Sequence, residues 1–395
     1  VGVRYEVYRP NGFDLKGLWG KGDLIKSYNG SFLNPRINFS YNLAEETQLR
    51  LSYGVTSKAP PLGMIAAQKK YFDIVDTVSV RNPSVPESNF SIISTNIRNI
   101  ANENIKGYKQ NKYEISLDQQ IGSVGFTVTG YHNNSDYIFD EMNTPTVFYK
   151  YSYPTWPDVS SRFVKDSLLD SYKIYGNNKW QKVSGIEITF RTRKIPVINT
   201  IFTFDAAYTH QETGLKNNIE YGLQRYSSLL GIKLIPVYKS NVDITKDFLL
   251  NYRFEIQSKT LGMWITLHIQ QKLIEFNRKT GFGDSLAIGY FTQKGEFITI
   301  PENEKASSKY SQLSKNVEYY MLLDEDPPNK FLFNIKVSKS LWSGASVSFY
   351  VNNFLNSKPV YRVSRSNPLN PKYETRNPDI FYGIELSTAL GGFNE

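Results

Sequence analysis

The chain has 395 residues, of which 21% are charged and 14% aromatic, and it contains no cysteine. The lack of cysteine excludes a disulfide framework and any thiolate metal site, and the aromatic content argues against intrinsic disorder. The formal net charge of +9 would suit a nucleic-acid partner, but basic residues are scattered, with no run beyond pairs such as Lys69-Lys70, so no nucleic acid is expected.

No stretch of the chain approaches the roughly 18 to 20 consecutive apolar residues that a membrane helix requires. A strand of a membrane barrel needs only about 9 to 11 alternating residues, which average hydropathy misses. The chain opens at Val1 inside an alternating segment, with no start methionine and no signal peptide. We therefore expect a mature or truncated piece of something longer.

Apolar and polar residues alternate along many segments, which is typical of strands with one apolar and one polar face. In residues 49–56 the odd positions are apolar and the even ones are small or polar. The same alternation occurs in residues 36–41, 113–118, 186–191, 252–257, 333–338, 347–352 and 382–387. The pattern predicts twelve strands, at 1–9, 31–41, 47–57, 110–118, 124–134, 183–191, 200–210, 247–256, 261–274, 329–339, 344–354 and 379–390.

Short and long connections alternate strictly between these strands. The short ones are predicted turns at residues 42–46, 119–123, 192–198, 257–260 and 340–343. The long ones show little regular pattern and cover residues 10–30, 58–109, 135–182, 211–246, 275–328 and 355–378. Compact soluble domains rarely contain structureless loops beyond about 12 to 15 residues, whereas outer-membrane barrels have short periplasmic turns and long outer loops. The sequence therefore predicts an all-β fold, a transmembrane antiparallel β-barrel whose C-terminus is periplasmic.

Three segments resemble the TonB-dependent outer-membrane receptors. Residues 49–60 are similar to a mid-barrel strand of that family that leads into an Ala-Pro loop, here Ala59-Pro60. Residues 109–117 resemble the following "Tyr-Glu-hydrophobic-Gly-Leu" strand, with Ser116 where glycine is frequent. Residues 348–356 are similar to the penultimate strand and its "Asn-Asn-Leu-Phe-Asn" segment. The three matches occur in the family's order and together span about residues 30 to 390.

The resemblance implies a barrel of 22 strands with an N-terminal plug domain inside it. Residues 1–395 would then be the C-terminal half of the barrel, with the plug and the first strands absent from this chain. It implies a receptor, not an enzyme, that imports a siderophore, cobalamin, glycan or peptide with the energy-coupling protein TonB and without a cofactor. The long loops favour glycan or peptide import, in which a surface lipoprotein caps the barrel.

Two features depart from the family pattern. The family commonly ends on an aromatic residue, whereas this chain ends at Glu395, two residues after Phe393. No plug and no energy-coupling box are visible, so active transport follows from the resemblance alone.

The polar faces of the predicted strands carry charges of both signs, which we expect to face the lumen. Ion pairs between neighbouring strands and contacts with a plug would account for most of them, and a minority would contact a substrate. Asp205 belongs to this group. The lumen-facing candidates are Arg36, Arg50, Glu114, Asp118, Glu187, Arg191, Arg253, Glu255, His268, Lys336 and Glu385.

No residue indicates catalysis or metal binding. His132, His210 and His268 are too far apart in sequence for a local metal site, and no residue marks the serine that pairs with histidine in twelve-stranded outer-membrane phospholipases. The acidic residues 324–326 lack the spacing of an EF-hand. We expect neither a catalytic residue nor a metal site.

Aromatic residues are frequent in the predicted outer loops, where a receptor first meets its ligand. The candidates for ligand binding are Tyr71, Phe72, Tyr149, Tyr151, Tyr153 and Trp156. Other loop aromatics are Phe148, Tyr310, Tyr319 and Tyr320. Packing within large folded loops, or contact with membrane lipid, is the alternative role for each ring.

Two other architectures stay open. One is a self-contained twelve-stranded barrel that acts as a passive channel or an adhesin, since an even strand number permits closure. The other is a soluble repeat protein such as a propeller, although no internal period is found.

Overall fold

The computed structural model describes residues 1–8, 30–65, 69–80, 89–102, 104–152, 164–217, 219–281, 284–342 and 344–388. Strands dominate these ranges. Within these ranges, helical structure is limited to one short α-helix, α1, at Leu62–Ile65 and to 3₁₀ turns at Glu302–Glu304, Ser308–Leu313 and Tyr319–Leu322. None of the helices within these ranges has the length and apolar character that crossing a membrane requires.

The strands are numbered in chain order. They are β1 Gly2–Tyr8, β2 Gly30–Ala44, β3 Thr47–Lys58, β4 Lys69–Val80, β5 Asn89–Asn99, β6 Tyr108–Ile121, β7 Val124–Ser152, β8 Val164–Thr192, β9 Thr200–Leu215, β10 Ile219–Tyr221, β11 Arg225–Ser227, β12 Ile232–Lys239, β13 Val242–Ser258, β14 Met263–Thr280, β15 Gly289–Phe291, β16 Phe297–Thr299, β17 Lys330–Trp342, β18 Ala345–Asn352, β19 Val360–Arg362, β20 Tyr373–Thr375 and β21 Phe381–Thr388.

Twelve of these strands form one antiparallel sheet in the order β1-β2-β3-β6-β7-β8-β9-β13-β14-β17-β18-β21. Each pairs with the next in this series, so the sheet is a meander whose neighbours follow chain order. These are the twelve strands that the alternating pattern predicts, in the predicted order. The sheet is open, since β1 and β21 do not pair with each other within the described residues.

The five predicted short turns all lie at the same end of the sheet, which we call the turn end. Two of them depend on glycines in the left-handed region, where side chains are strained: Gly122 has φ +56° and Gly262 has φ +61°. The long connections lie at the opposite end, the loop end. The alternation of connection lengths thus separates the two ends of the sheet.

The sheet leaves one apolar face without cover. Large apolar side chains at alternate positions are exposed on it, including Phe39 at 53%, Ile186 at 52% and Ile384 at 74%. A soluble protein rarely exposes a contiguous apolar surface of this extent.

The segment predicted as a long irregular loop at residues 135–182 is largely a two-stranded ribbon. β7 and β8 each run for 29 residues and stay paired from Val124↔Thr192 to Ser152↔Val164. The predicted strand 124–134 therefore ends too early, and the predicted strand 183–191 begins too late. Beyond the main sheet both ribbon faces carry polar residues, so the two-residue period that marks a one-sided strand fades. The register shifts where the ribbon begins, between Ser135 and Asp140.

Three other loop-end connections fold against this ribbon: those between β3 and β6, between β9 and β13, and between β14 and β17. The hairpin β4–β5 contacts one face through Phe72, whose ring centroid lies 4.6 Å from that of Phe148. A small sheet of β10, β11, β12, β15 and β16 contacts the other face, where Gln293 Nε2 donates to Ser167 O at 2.6 Å. We call the hairpin, ribbon and small sheet together the outer body.

The small sheet has its own hydrophobic core, built from two separate connections of the main sheet. Its buried members are Leu234, Tyr238, Ala287, Tyr290, Ile300, Tyr310 and Leu313. Tyr310, one of the loop aromatics, is only 5% exposed and therefore packs in this core. Burial raises the pKa of the Tyr238 phenol, so it stays protonated and donates to Leu313 O at 2.7 Å.

Candidate functional site

Cross-strand pairing shows which side chains share a face of the main sheet. Directly opposed residues of an antiparallel pair point to the same side, and so do residues two apart along one strand. Arg36 opposes Gly54, Arg50 opposes Ser116, and these pairs continue across the sheet to Ser348 opposite Glu385. All eleven lumen-facing candidates, and Asp205, fall on this one polar face: Arg36, Arg50, Glu114, Asp118, Glu187, Arg191, Arg253, Glu255, His268, Lys336 and Glu385. That this face lines a lumen stays a prediction.

Several charges on the polar face pair with one another. Arg50 donates two hydrogen bonds to the carboxylate of Asp118, at 2.6 and 3.0 Å, and Thr127 adds a third at 2.7 Å. Lys336 Nζ lies 2.7 Å from Glu385 Oε2. Each exposed pair contributes at most about 1 kcal/mol to stability, so their main effect is to fix side-chain positions.

A concavity in the polar face, which we call the polar hollow, is lined by charged residues that form no ion pairs within the described ranges. Its volume is about 580 Å³, and its polar lining includes Arg36, Asn38, Thr56, Lys112, Glu114, Thr129, Tyr131, Asn133 and Glu187. Glu114 accepts one long hydrogen bond, from Ser116 at 3.3 Å. Arg36, Lys112 and Glu187 have neither an ion pair nor a side-chain hydrogen bond within the described ranges. These groups are therefore available to bind a polar or charged partner.

A tyrosine laid across a glycine gives the hollow its shape. Tyr131 opposes Gly185 in the sheet, and a Cβ on that glycine would lie 2.5 Å from the tyrosine ring. The missing side chain lets the ring lie flat over β8, and its hydroxyl reaches Thr209 of β9 at 3.0 Å. Any side chain at position 185 would lift the ring into the hollow.

At the loop end the polar face carries an ionic cluster, the mouth cluster, that the sequence did not indicate. Lys272 Nζ lies 2.8 Å from Asp247 and 3.5 Å from Glu275, and Glu275 pairs with Arg376 at 2.8 Å. Arg376 is 9% exposed, and its Nε and Nη2 have no hydrogen-bond partner within the described residues. Its guanidinium carbon lies 5.4 Å from the ring centroid of Tyr361.

The mouth cluster joins strands to the last long connection. Glu275 and Arg376 are 101 residues apart, so no local pattern signals their contact. Burial raises the pKa of the Tyr361 phenol, which keeps the ring neutral beneath the guanidinium. The arrangement fastens the connection at the mouth of the polar face.

The ligand-binding candidates of the loop end divide into exposed and packed rings. Tyr71 is 58% exposed and Tyr149 is 42% exposed, with Lys165 Nζ 3.7 Å from the ring centroid of Tyr149. Phe72 packs between Phe148 and Tyr172. Among the other loop aromatics, Phe148 is 1% exposed, whereas Tyr319 is 64% exposed and contacts Tyr320 with centroids 6.0 Å apart.

The remaining three candidates for ligand binding are Tyr151, Tyr153 and Trp156. Tyr151 donates its backbone N–H to Asp76 at 2.7 Å, a contact that ties the ribbon to the hairpin. Tyr153 and Trp156 lie outside the described residues. Their role in ligand binding stays a prediction.

The three histidines lie on three different strands, and no group of three or more metal-ligating side chains occurs within the described ranges. His132 Nδ1 lies 2.8 Å from Ser184 Oγ on the apolar face, a spacing that the sequence did not reveal. A catalytic pair of this type needs a third group to orient the histidine. No carboxylate contacts His132 in the described part of the chain, so the pair is a cross-strand hydrogen bond.

A family model described as "TonB dependent receptor-like, beta-barrel" matches residues 1–354. A search of curated proteins gave no match. Among solved structures, the siderophore receptor PirA from Acinetobacter baumannii has a TM-score of 0.48 at 13% identity, covering 92% of this chain and 41% of its own.

Two more receptor structures are similar. A mutant of the ferric enterobactin receptor PfeA from Pseudomonas aeruginosa has a TM-score of 0.47 at 11% identity, covering 93% of this chain and 41% of its own. The ferric-catecholate import receptor Fiu from Escherichia coli has a TM-score of 0.20 at 8% identity, covering 91% and 62%. The chain thus spans about two-fifths of the length of the first two receptors. The family match covers most of the chain, and the chain belongs to the TonB-dependent receptor-like β-barrel family.

Proposed function

We propose that the chain forms the C-terminal half of the barrel of an outer-membrane receptor, which imports a ligand too large for porins with energy supplied through TonB. The unpaired charges of the polar hollow carry this proposal. Arg36, Lys112 and Glu187 line a polar concavity on the face opposite the apolar one, and the interior of a large barrel is polar. A wall that only closed a barrel would have no need of unpaired charge there.

The orientation of the sheet is part of the proposal. The turn end would be periplasmic, with the C-terminus on that side, and the outer body would lie outside the cell. An N-terminal plug domain would fill the lumen and meet part of the polar face. The exposed rings of Tyr71 and Tyr149 would first contact the ligand, and a surface lipoprotein would suit the size of the outer body.

The experiment is ligand uptake by cells that express the full-length protein, with and without functional TonB. Labelled probes from four classes are offered: a ferric siderophore, cobalamin, an oligosaccharide and a peptide. We expect TonB-dependent uptake of one class. Charge reversal in the hollow, by Arg36→Glu with Lys112→Glu, should lower that uptake by about tenfold, which corresponds to about 1.4 kcal/mol.

The matched control is Lys339→Glu, which makes the same lysine-to-glutamate change as Lys112→Glu, but on the apolar face near the turn end. Its uptake should equal that of the wild type when surface expression is equal. Uptake that does not depend on TonB would instead support a passive channel. An equal loss of uptake in both variants would show that the polar hollow is not part of the transport path.

A further inference from the structure

The apolar face of the sheet contains a groove that the transport function leaves unused. Its volume is about 560 Å³, within the range of about 300 to 1,000 Å³ typical of small-molecule sites. The side chains of this apolar groove come from four adjacent strands, β2, β3, β6 and β7: Ile37, Phe39, Leu51, Tyr53, Tyr113, Ile115 and His132, with Gly130 as a gap between them.

The register explains why a groove forms here. Tyr53 opposes Tyr113, with ring centroids 5.1 Å apart, and Tyr113 opposes His132, with centroids 6.3 Å apart. These rings make one wall. Beside them, Gly130 opposes Ile115 and contributes no side chain, so the surface sinks between the rings and the aliphatic residues of β2.

Beyond the loop end of the groove, the same face becomes polar and basic. His132 is held by its hydrogen bond to Ser184 at 2.8 Å. One step further toward the loops, Lys182 opposes Asn134 on the same face, and its ammonium lies 5.5 Å from the Trp180 ring centroid. Lys109 lies on that face too, at the loop end of β6. The other walls of the groove are apolar.

We propose that the apolar groove binds one acyl chain of a membrane lipid, with the phosphate of that lipid at Lys109 and Lys182. In a barrel of this family the apolar face meets lipid. The groove is apolar, and the two amines lie on the same face beyond its loop end, an order that matches the division of a phospholipid into chain and anionic head. The site lies on the face opposite the polar hollow, so cargo in the lumen does not reach it.

The test uses the full-length protein, extracted from outer membranes into a mild detergent and freed of bound lipid. Dioleoyl phosphatidylglycerol is added back and counted by native mass spectrometry. We expect one saturable lipid on the wild type. Gly130→Phe should weaken this binding by about tenfold, because a Cβ at position 130 meets only Ile115 Cγ2 at 3.5 Å and the ring fills the groove. Val347→Phe, on the same face of β18, should bind like the wild type.

Two further measurements keep the outcomes distinct. If Gly130→Phe fails the heat-shift test of a folded barrel, Ile37→Trp fills the groove from β2 instead. Lys109→Gln with Lys182→Gln should weaken phosphatidylglycerol binding and leave a neutral glycolipid detergent unaffected. Equal lipid binding by wild type and the groove-filling variant, or equal loss in Val347→Phe, would overturn the proposal.

Discussion

At the residue scale, the structure gives a role to Asn353, an asparagine of the segment 348–356 that resembles the receptor family. Its φ of +50° is in the left-handed region that asparagine tolerates better than most residues. Its fully buried side chain donates to Ser357 O at 3.1 Å and Pro378 O at 2.8 Å and accepts from Ser357 N at 3.0 Å. One side chain therefore closes the start of the last long connection onto its end.

Asn353→Ala should lower the free energy of unfolding by about 2 to 4 kcal/mol, through backbone strain and buried groups left unpaired. Asn356→Ala is the matched control, because Asn356 also has a positive φ, +48°, but is exposed. It should cost only about 1 kcal/mol. Urea titration of the refolded barrel measures both, and equal losses would mean that the hydrogen bonds contribute nothing.

The ion pair of Arg278 and Asp324 should make stability depend on pH. Hydrogen bonds from the Arg278 guanidinium, with Nε 2.9 Å from Oδ1, lower the pKa of Asp324. A lowered folded-state pKa means that this stabilisation is complete above the unfolded value of about 3.9 and is lost as pH falls through the folded value. At pH 7, Asp324→Asn should therefore lower the free energy of unfolding by at most about 1 kcal/mol, and the variant should melt at a lower temperature than the wild type. The two melting curves should coincide near pH 2. A stability difference of the same size at pH 2 and pH 7 would show that the Arg278–Asp324 ion pair is not its cause.

At the element scale, the β4–β5 hairpin depends on one ring for its place on the ribbon. Phe72 lies between Phe148 and Tyr172, with centroids 4.6 and 6.2 Å away. Phe72→Ala should cost about 2 kcal/mol, less than a fully buried phenylalanine, and release the hairpin. Tyr71→Ala, one residue away and 58% exposed, should not. Hydrogen exchange of residues 69–99 distinguishes them, and protection unchanged in Phe72→Ala would refute the docking role.

The sequence predicted the elements whose pattern is local. Period-two alternation identified all twelve strands of the main sheet. It also predicted that charges such as Arg50 and Glu385 share one face, because successive side chains of a strand point to opposite faces. The ribbon beyond Asn134 was missed because its two faces are alike in polarity. The short strands β10, β15 and β16 are too brief to display a period at all.

At the scale of the whole molecule, the sequence did not predict the contacts between connections that are far apart in the chain. The shape of the polar hollow depends on the Tyr131–Gly185 contact, which alternation does not encode. The mouth cluster joins Glu275 to Arg376, and the small sheet draws its core from two connections. Such contacts depend on tertiary packing, which a single sequence does not display.

The unbroken strands of the ribbon give the molecule a mechanical character. At about 3.3 Å per residue, the 29 residues of β7 form a strand about 95 Å long. One end of this strand belongs to the main sheet and the other end to the outer body. Its hydrogen bonds change register between Ser135 and Asp140, and Tyr137 there has a φ of +59°. A load at the outer end of this strand would concentrate its bending at this joint, where the main sheet begins.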